Sequence, residues 1–127
     1  MKTILTTEKS VDQAASDFEE AVFRNGFGIL HTYDLKQTLE GKGFPIEDEV
    51  RIFEICNPAR ASEVLERDLD MNMALPCRVS VYSKDGKTCI GMINPSDILS
   101  VLSDDTQLGV IASDVEKTIR IMMEEAV

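Results

Sequence analysis

The chain has 127 residues, the length of one ordinary globular domain, so we expect a single domain over residues 1–127. Hydrophobic residues make up 43% and charged residues 28%, a composition that supports a hydrophobic core without disulfides. The 23 Asp and Glu residues outnumber the 13 Lys and Arg residues and give a net charge of −10. This charge argues against a nucleic-acid partner, because duplex-binding domains usually carry a basic face.

The first quarter of the chain predicts a strand followed by a helix. Residues 3–7 are all β-branched or apolar, which is typical of a short strand. Ser10, with Gln13 three positions later, has the form of a capping box and predicts the start of a helix. Asn25 and Gly26 predict its end, since glycine suits the left-handed conformation that follows many helices.

Residues 27–58 predict two further strands and two helix starts. Residues 27–33 indicate a strand with four residues on one face: Phe27, Ile29, His31 and Tyr33. Asp34 can cap a short helix that runs through Leu39, and residues 50–56 indicate the next strand. Asn57 and Pro58 then predict a helix over residues 59–67, because Asn favours the cap position and Pro the first turn.

The second half of the chain contains a clear hairpin signal. In residues 68–76, Leu69, Met71, Met73 and Leu75 alternate with polar residues but include two flexible Met side chains, and we interpret this segment as an ordered loop or irregular strand. Asp85 and Gly86 separate the alternating runs 77–82 and 87–93, and an Asp-Gly pair between two such runs predicts a β-hairpin.

Two helices are predicted after the hairpin. Asn94 and Pro95 repeat the pattern of a cap followed by proline and predict a short helix. Apolar residues then recur at helical spacing and predict a long C-terminal helix: Leu108, Ile111, Val115, Ile119 and Met122. The order of elements favours an α+β fold, with a mixed sheet of about five strands and the long N- and C-terminal helices packed on one face.

The chain shows no signs of export or membrane insertion. No apolar run approaches the roughly 18 residues of a membrane span, and the first residues lack a signal-peptide core. We therefore expect a soluble, cytoplasmic protein with no membrane partner. The three cysteines, Cys56, Cys77 and Cys89, are odd in number and lack metal-type spacing, which favours reduced thiols.

The junction between residues 56 and 58 is the most interesting candidate site. Cys56 adjoins the helix start at Asn57, where the positive end of the helix dipole favours a thiolate or a bound anion. A buried cysteine that only fills the end of a strand is the simpler interpretation. Cys77 precedes Arg78, whose charge would lower a thiol pKa at short range.

His31, Cys56 and Cys77 together could hold a transition metal, and the two cysteines could form a redox pair. Whether they meet depends on strand direction. Adjacent parallel strands would separate the two cysteines by about 20 Å, six residues at ~3.3 Å each. An antiparallel or non-adjacent arrangement would bring both to one rim, with His31 reaching in from the second strand.

Five stretches of the chain carry a family resemblance: Thr6–Val11, Gly26–His31, Glu54–Pro58, Leu75–Val79 and Asp85–Lys87. In these stretches the chain resembles the domain of unknown function 302 family. The resemblance implies an α+β fold similar to the TATA-box-binding-protein-like class, packed as a homodimer. It implies no DNA binding, and it transfers no catalytic residue because the family carries no established activity.

Three functions are compatible with these observations. The leading one is a homodimeric binding or accessory domain with a small-ligand or anion cleft near His31, Cys56 and Cys77, to which Asn57 and Arg78 also contribute. The second is a thiol-based or metal-dependent redox protein that uses Cys56 and Cys77. The third is a protein-interaction module, marked by an exposed apolar patch of Met71, Met73 and Leu75. No complete catalytic signature or cofactor motif occurs in the chain.

Overall fold

The computed structural model describes residues 1–127 and confirms the α+β fold with five strands. The strands are β1 (Lys2–Thr7), β2 (Gly28–Asp34), β3 (Val50–Cys56), β4 (Cys77–Lys84) and β5 (Lys87–Ile93). The helices are α1 (Val11–Arg24), α2 (Leu35–Gly41), α3 (Pro58–Arg67), the 3-10 helix Leu69–Ala74, α4 (Pro95–Leu102) and α5 (Thr106–Ala126).

The sheet has the order β1-β5-β4-β3-β2, and every neighbouring pair is antiparallel. A mixed sheet was the expectation, because α3 was a possible crossover between parallel strands. The connection from β3 to β4 instead leaves and re-enters the sheet at the same end. Cys77 at the start of β4 pairs with Ile55 near the end of β3. The helical segment between the two strands therefore begins and ends at the same end of the sheet.

One face of the sheet is covered by α1 and α5, as the sequence predicts. Phe18 of α1 is fully buried and lies against Phe53 of β3, with ring centroids 5.3 Å apart. Ile119 and Met122 of α5 are buried in the same core. Complete burial of side chains of this size contributes about 1.5 to 3 kcal/mol each, so this helix-covered face is the main source of stability.

A second, smaller core lies among α3, α4, α5 and the 3-10 helix. Its buried residues come from these four helical segments: Val64, Met71, Leu99, Leu108, Ile111 and Ala112. Residues 68–76 were expected to form an ordered loop or irregular strand, but Leu69–Ala74 forms a 3-10 helix. Met71 alone of that segment is buried, and Met73 is 78% exposed, so the predicted patch of Met71, Met73 and Leu75 does not form.

A β-bulge in β2 changes the face on which His31 lies. The pairing with β3 shifts register between Ile29 and His31, so Ile29 pairs with Ile55 and His31 pairs with Glu54. Ile29 packs against the core, whereas His31 shares the other face of the sheet with Tyr33. The predicted single face of Phe27, Ile29, His31 and Tyr33 is therefore wrong, because a bulge inserts one residue and reverses the alternation beyond it.

The hairpin is confirmed at residues 85 and 86. Asp85 and Gly86 have φ values of 53° and 77°, the two positive angles of a type I′ turn. Lys84 and Lys87 form the last pair of the ladder. Among the helices of this fold, none combines the length and apolar character needed to cross a bilayer.

Candidate ligand cleft

Cys56 and Cys77 lie at the same end of the sheet. Because β3 and β4 are antiparallel neighbours, the last residue of β3 and the first of β4 are brought together, and Cys77 stands opposite Ile55. The structure thus realises the antiparallel arrangement, one of the alternatives that the sequence left open. Both cysteines are free thiols and both are partly buried.

The two thiols line a cavity of about 280 Å³, which we call the thiol cleft. Thirteen of its 18 lining residues are hydrophobic. They come from the loop before β2, from β3, from α3 and from α5, and include Phe27, Ile55, Val64, Ile111 and Val115. The polar side chains at the cleft are few, and those from the β3–α3 junction are Asn57 and Arg60.

Cys77 is a neutral thiol in this setting. Burial raises the pKa of Cys77 to about 11, and the neighbouring Cys56 adds to the rise. A thiolate is thus disfavoured at neutral pH, because removing its hydration is costly and no cation compensates for it. The expectation that Arg78 would lower this pKa is not met, because burial and the neighbouring Cys56 shift the pKa of Cys77 upwards.

Asn57 caps α3 as predicted. Its side-chain oxygen accepts a hydrogen bond from the backbone N–H of Arg60 at 3.3 Å, and Pro58 occupies the first helical position. The Arg60 guanidinium, which borders the cleft, forms salt bridges of 3.3 Å with Glu63 and 3.4 Å with Asp114. With its one cation already paired with two carboxylates, the thiol cleft is better suited to an apolar ligand than to an anion.

His31 and Arg78 lie outside the thiol cleft. The His31 ring is exposed on the helix-free face of the sheet and meets Tyr33 edge to face, with centroids 4.4 Å apart. Arg78 lies on the same face, directly opposite Glu54. No group of three or more His, Cys, Asp or Glu side chains in the chain is arranged to hold a metal ion, so His31, Cys56 and Cys77 do not form the suggested ligand set.

Sequence reasoning identified the thiols of the cleft and missed its apolar walls. Leu75 and Pro76 border the cleft, as do Leu99 of α4 and Ala112 of α5. Ile111 and Val115, which also line the cleft, belong to the predicted stripe of the C-terminal helix, but burial against another helix and exposure to a cavity produce the same spacing. Leu75 and Pro76 belong to a stretch that carried the family resemblance, and Leu75 was also part of the predicted apolar patch, but neither signal placed them in this cleft.

The family model for the domain of unknown function DUF302 matches residues 3–126 of the chain. The chain belongs to the DUF302 family. Its fold is similar to the crystal structure of an uncharacterised conserved DUF302 protein from Bacillus stearothermophilus, with a TM-score of 0.94 and 28% sequence identity. That similarity covers 99% of this chain and 98% of the other. A search of curated proteins finds no match to this DUF302 chain.

Proposed function

We propose that this DUF302 protein is a binding domain that takes a small apolar ligand into the thiol cleft. The observation that carries the proposal is the cavity of about 280 Å³ with a mainly hydrophobic lining. Small-molecule sites are typically apolar concavities of roughly 300 Å³ or more with a few polar groups that orient the ligand. Asn57 and the two thiols supply such groups.

The composition of the cleft favours binding over thiol catalysis. A nucleophilic cysteine needs a base within reach, or a cation or helix N-terminus that stabilises its thiolate, and of these only the start of α3 lies beside Cys56. No His, Asp or Glu lines the cleft, and its one arginine is held by Glu63 and Asp114. Cys77, which burial holds neutral, acts as a soft, polarisable part of an apolar wall.

A neutral fluorescent probe, N-phenyl-1-naphthylamine, tests the proposal. We expect the wild-type protein to bind it at one site, with an increase in probe fluorescence. Ala61→Phe places a ring in the cleft, which Ala61 lines, and should weaken binding by about tenfold or more. Ala59→Phe is the matched control, because Ala59 lies on the same helix but is exposed and outside the cleft. Equal binding by both variants would refute the proposal.

A thiol redox role is the second candidate, favoured by the adjacency of Cys56 and Cys77. Diamide would remove two electrons and two protons from the pair to form one disulfide. The strand alternation disfavours this bond, because Ile55 shares the face of Cys77 and Cys56 comes next along β3. Mass spectrometry after diamide treatment, with Cys56→Ser as control, would support this role if an intramolecular Cys56–Cys77 disulfide formed readily.

The homodimer implied by the family resemblance is also a proposal. In its support, one face of the sheet carries no helix, and Tyr33 on that face is 40% exposed near the β2 edge. Sedimentation at micromolar concentration should give twice the 14.1 kDa of one chain. A species of 14.1 kDa would contradict it.

A further inference from the structure

A second cavity, of about 340 Å³, is lined by residues of the helix-free face of the sheet and by residues of α4 and α5, and we call it the cationic cavity. Its floor crosses three strands, because Gly91 of β5 pairs with Ile4 of β1 on one side and with Ser80 of β4 on the other. Leu75 and Ile98 form part of its apolar wall. The cavity also touches Leu75–Cys77, a segment that borders the thiol cleft as well.

Gly91 creates the depression in this floor. A side-chain carbon added to Gly91 would lie 3.4 Å from Cγ1 of Ile4 and 3.6 Å from Cε1 of Tyr82, so these two side chains flank the glycine. The strand that carries Ile4 is fixed at its start by Asn94. The Thr3 hydroxyl donates to Oδ1 of Asn94 at 2.7 Å, and the Asn94 N–H donates to the Met1 carbonyl at 2.7 Å.

The charges at this cavity are exclusively positive. Lys2 and Arg78 are among its 16 lining residues, and none of the 16 is Asp or Glu, although the chain contains 23 acidic residues. Neither cation takes part in any salt bridge of the structure. The Ser80 hydroxyl, which belongs to the floor of the cavity, makes no hydrogen bond within the protein and is free to donate to a ligand.

The carboxylate that lies opposite Arg78 in the pairing of β3 and β4 already accepts a hydrogen bond. Glu54 pairs with Arg78 across β3 and β4, but it accepts a hydrogen bond of 2.6 Å from the Tyr33 hydroxyl on its other side. The Arg78 guanidinium, which has five N–H donors, forms no salt bridge with Glu54 or with any other carboxylate, and it lines the cationic cavity.

We propose that the cationic cavity binds a small amphipathic anion, an organic carboxylate or sulfonate with an apolar body. Lys2 and Arg78 would bind the anionic group, and the floor around Gly91 would hold the apolar body. A fully apolar ligand would leave both cations unpaired, and a small inorganic anion would leave the floor uncovered. This cavity adjoins the thiol cleft along Leu75–Cys77, but Lys2 and Arg78 lie outside that cleft, and neither proposal depends on the other.

Two matched fluorescent probes test this inference on the whole chain. 8-Anilinonaphthalene-1-sulfonate carries a sulfonate, and N-phenyl-1-naphthylamine has the same ring system without it. We expect Arg78→Gln to weaken binding of the sulfonate by about five- to tenfold, and Lys2→Gln to have a smaller effect in the same direction. Lys117→Gln, which removes an exposed cation of α5 that forms no salt bridge, should leave the affinity unchanged.

Location and charge dependence provide two independent readouts. In a two-dimensional NMR titration with the sulfonate, the amides of Ser80 and Gly91 should shift, while that of Ala61 in the thiol cleft should not. Raising the salt concentration from about 0.01 to about 1 M should weaken binding of the sulfonate, because screening shortens the range of charge interactions from ~30 to ~3 Å.

The outcomes separate the two sites. If Arg78→Gln and Lys2→Gln bind the sulfonate as the wild type does, the inference is wrong. If Ala61→Phe instead abolishes sulfonate binding, the probe occupies the thiol cleft, which supports the proposed function and overturns this inference. Loss of neutral-probe binding in Ala61→Phe, with sulfonate binding retained, would support both sites.

Discussion

The hydroxyl of Tyr33 donates a hydrogen bond of 2.6 Å to Oε1 of Glu54, across the pair formed by β2 and β3. This bond raises the pKa of Tyr33, because ionisation would replace a donor with a phenolate beside a carboxylate. Partial burial adds to the rise, and the Arg78 charge opposes it to a lesser extent. The same bond keeps Glu54 engaged on the side away from Arg78.

Removing the acceptor should lower the pKa of Tyr33. In Glu54→Ala we expect the tyrosine to titrate closer to its usual value of 10.0, as followed by tyrosinate absorbance. The chain has two tyrosines, so both proteins should carry Tyr82→Phe to isolate Tyr33. Because the folded pKa is raised, the stabilisation is present below pH 10 and is lost as the pH rises through the raised value. An unchanged titration in Glu54→Ala would contradict the assignment.

Burial of Cys77 predicts a loss of stability at high pH. The pKa of its thiol rises from 9.0 to about 11 on folding, so the unfolded chain releases the proton first as the pH increases. The stabilisation is complete below pH 9 and falls by about 2 to 3 kcal/mol as the pH rises to 11. Urea unfolding at several pH values should show this decline, and Cys77→Ala should make it shallower by a similar amount.

The same burial predicts slow alkylation. At pH 8 iodoacetamide should modify Cys77 of the folded protein far more slowly than it does in urea, since the thiolate is the reactive species. Peptide mass spectrometry separates this site from Cys56 and Cys89. Cys77 modified at equal rates in the folded and unfolded protein would show that the thiol is accessible and ionised, and the thiol cleft would then be open to reactive ligands.

The two Asn-Pro pairs of the chain should respond differently to the same substitution. Asn57→Ala removes the cap of α3 and should cost about 1 kcal/mol, whereas Asn57→Asp keeps the acceptor and most of the stability. Asn94 has no capping hydrogen bond, and its side chain instead accepts from Thr3. In a Thr3→Val background, Asn94→Ala should therefore lose most of its effect on the free energy of unfolding. The effect of Asn57→Ala should be the same in both backgrounds. Chemical unfolding of the single and double variants measures both couplings.

Much of the fold was predictable because local chemistry decides it. Asp85 and Gly86 adopt the positive φ angles that only a few residue types tolerate, so the hairpin is encoded in two positions. The caps at Ser10 and Asn57 likewise depend on side chains adjacent to the amides they satisfy. Features of this kind need no knowledge of the rest of the chain.

The features that sequence analysis missed depend on distant partners. The bulge at Leu30 reverses the face of His31, and nothing in residues 27–33 distinguishes it from regular alternation. Asn94 has the form of a cap, but β1 supplies a competing hydroxyl from the other end of the chain. The thiol cleft was located through Cys56 and Cys77, while its depth depends on how α3 and α5 pack.

Since Asn94 does not cap α4, another residue must satisfy the start of that helix, and Glu116 of α5 does so. Its Oε1 accepts from the backbone N–H of Ser96 at 3.1 Å and from the Ser96 hydroxyl at 2.6 Å. A carboxylate here also complements the positive end of the helix dipole.

Glu116→Ala should therefore lower the free energy of unfolding by about 1 to 2 kcal/mol, and Ser96→Ala, which keeps the backbone bond, should lower it by less. Glu124→Ala, an exposed acid on the same helix, serves as the control and should change stability little. The measurement is the midpoint of urea unfolding, compared between variants whose dependence of unfolding free energy on urea concentration has the same slope. If Glu116→Ala and Glu124→Ala are equally stable, the amide of Ser96 is satisfied by solvent, and α4 is not held to α5 by this contact.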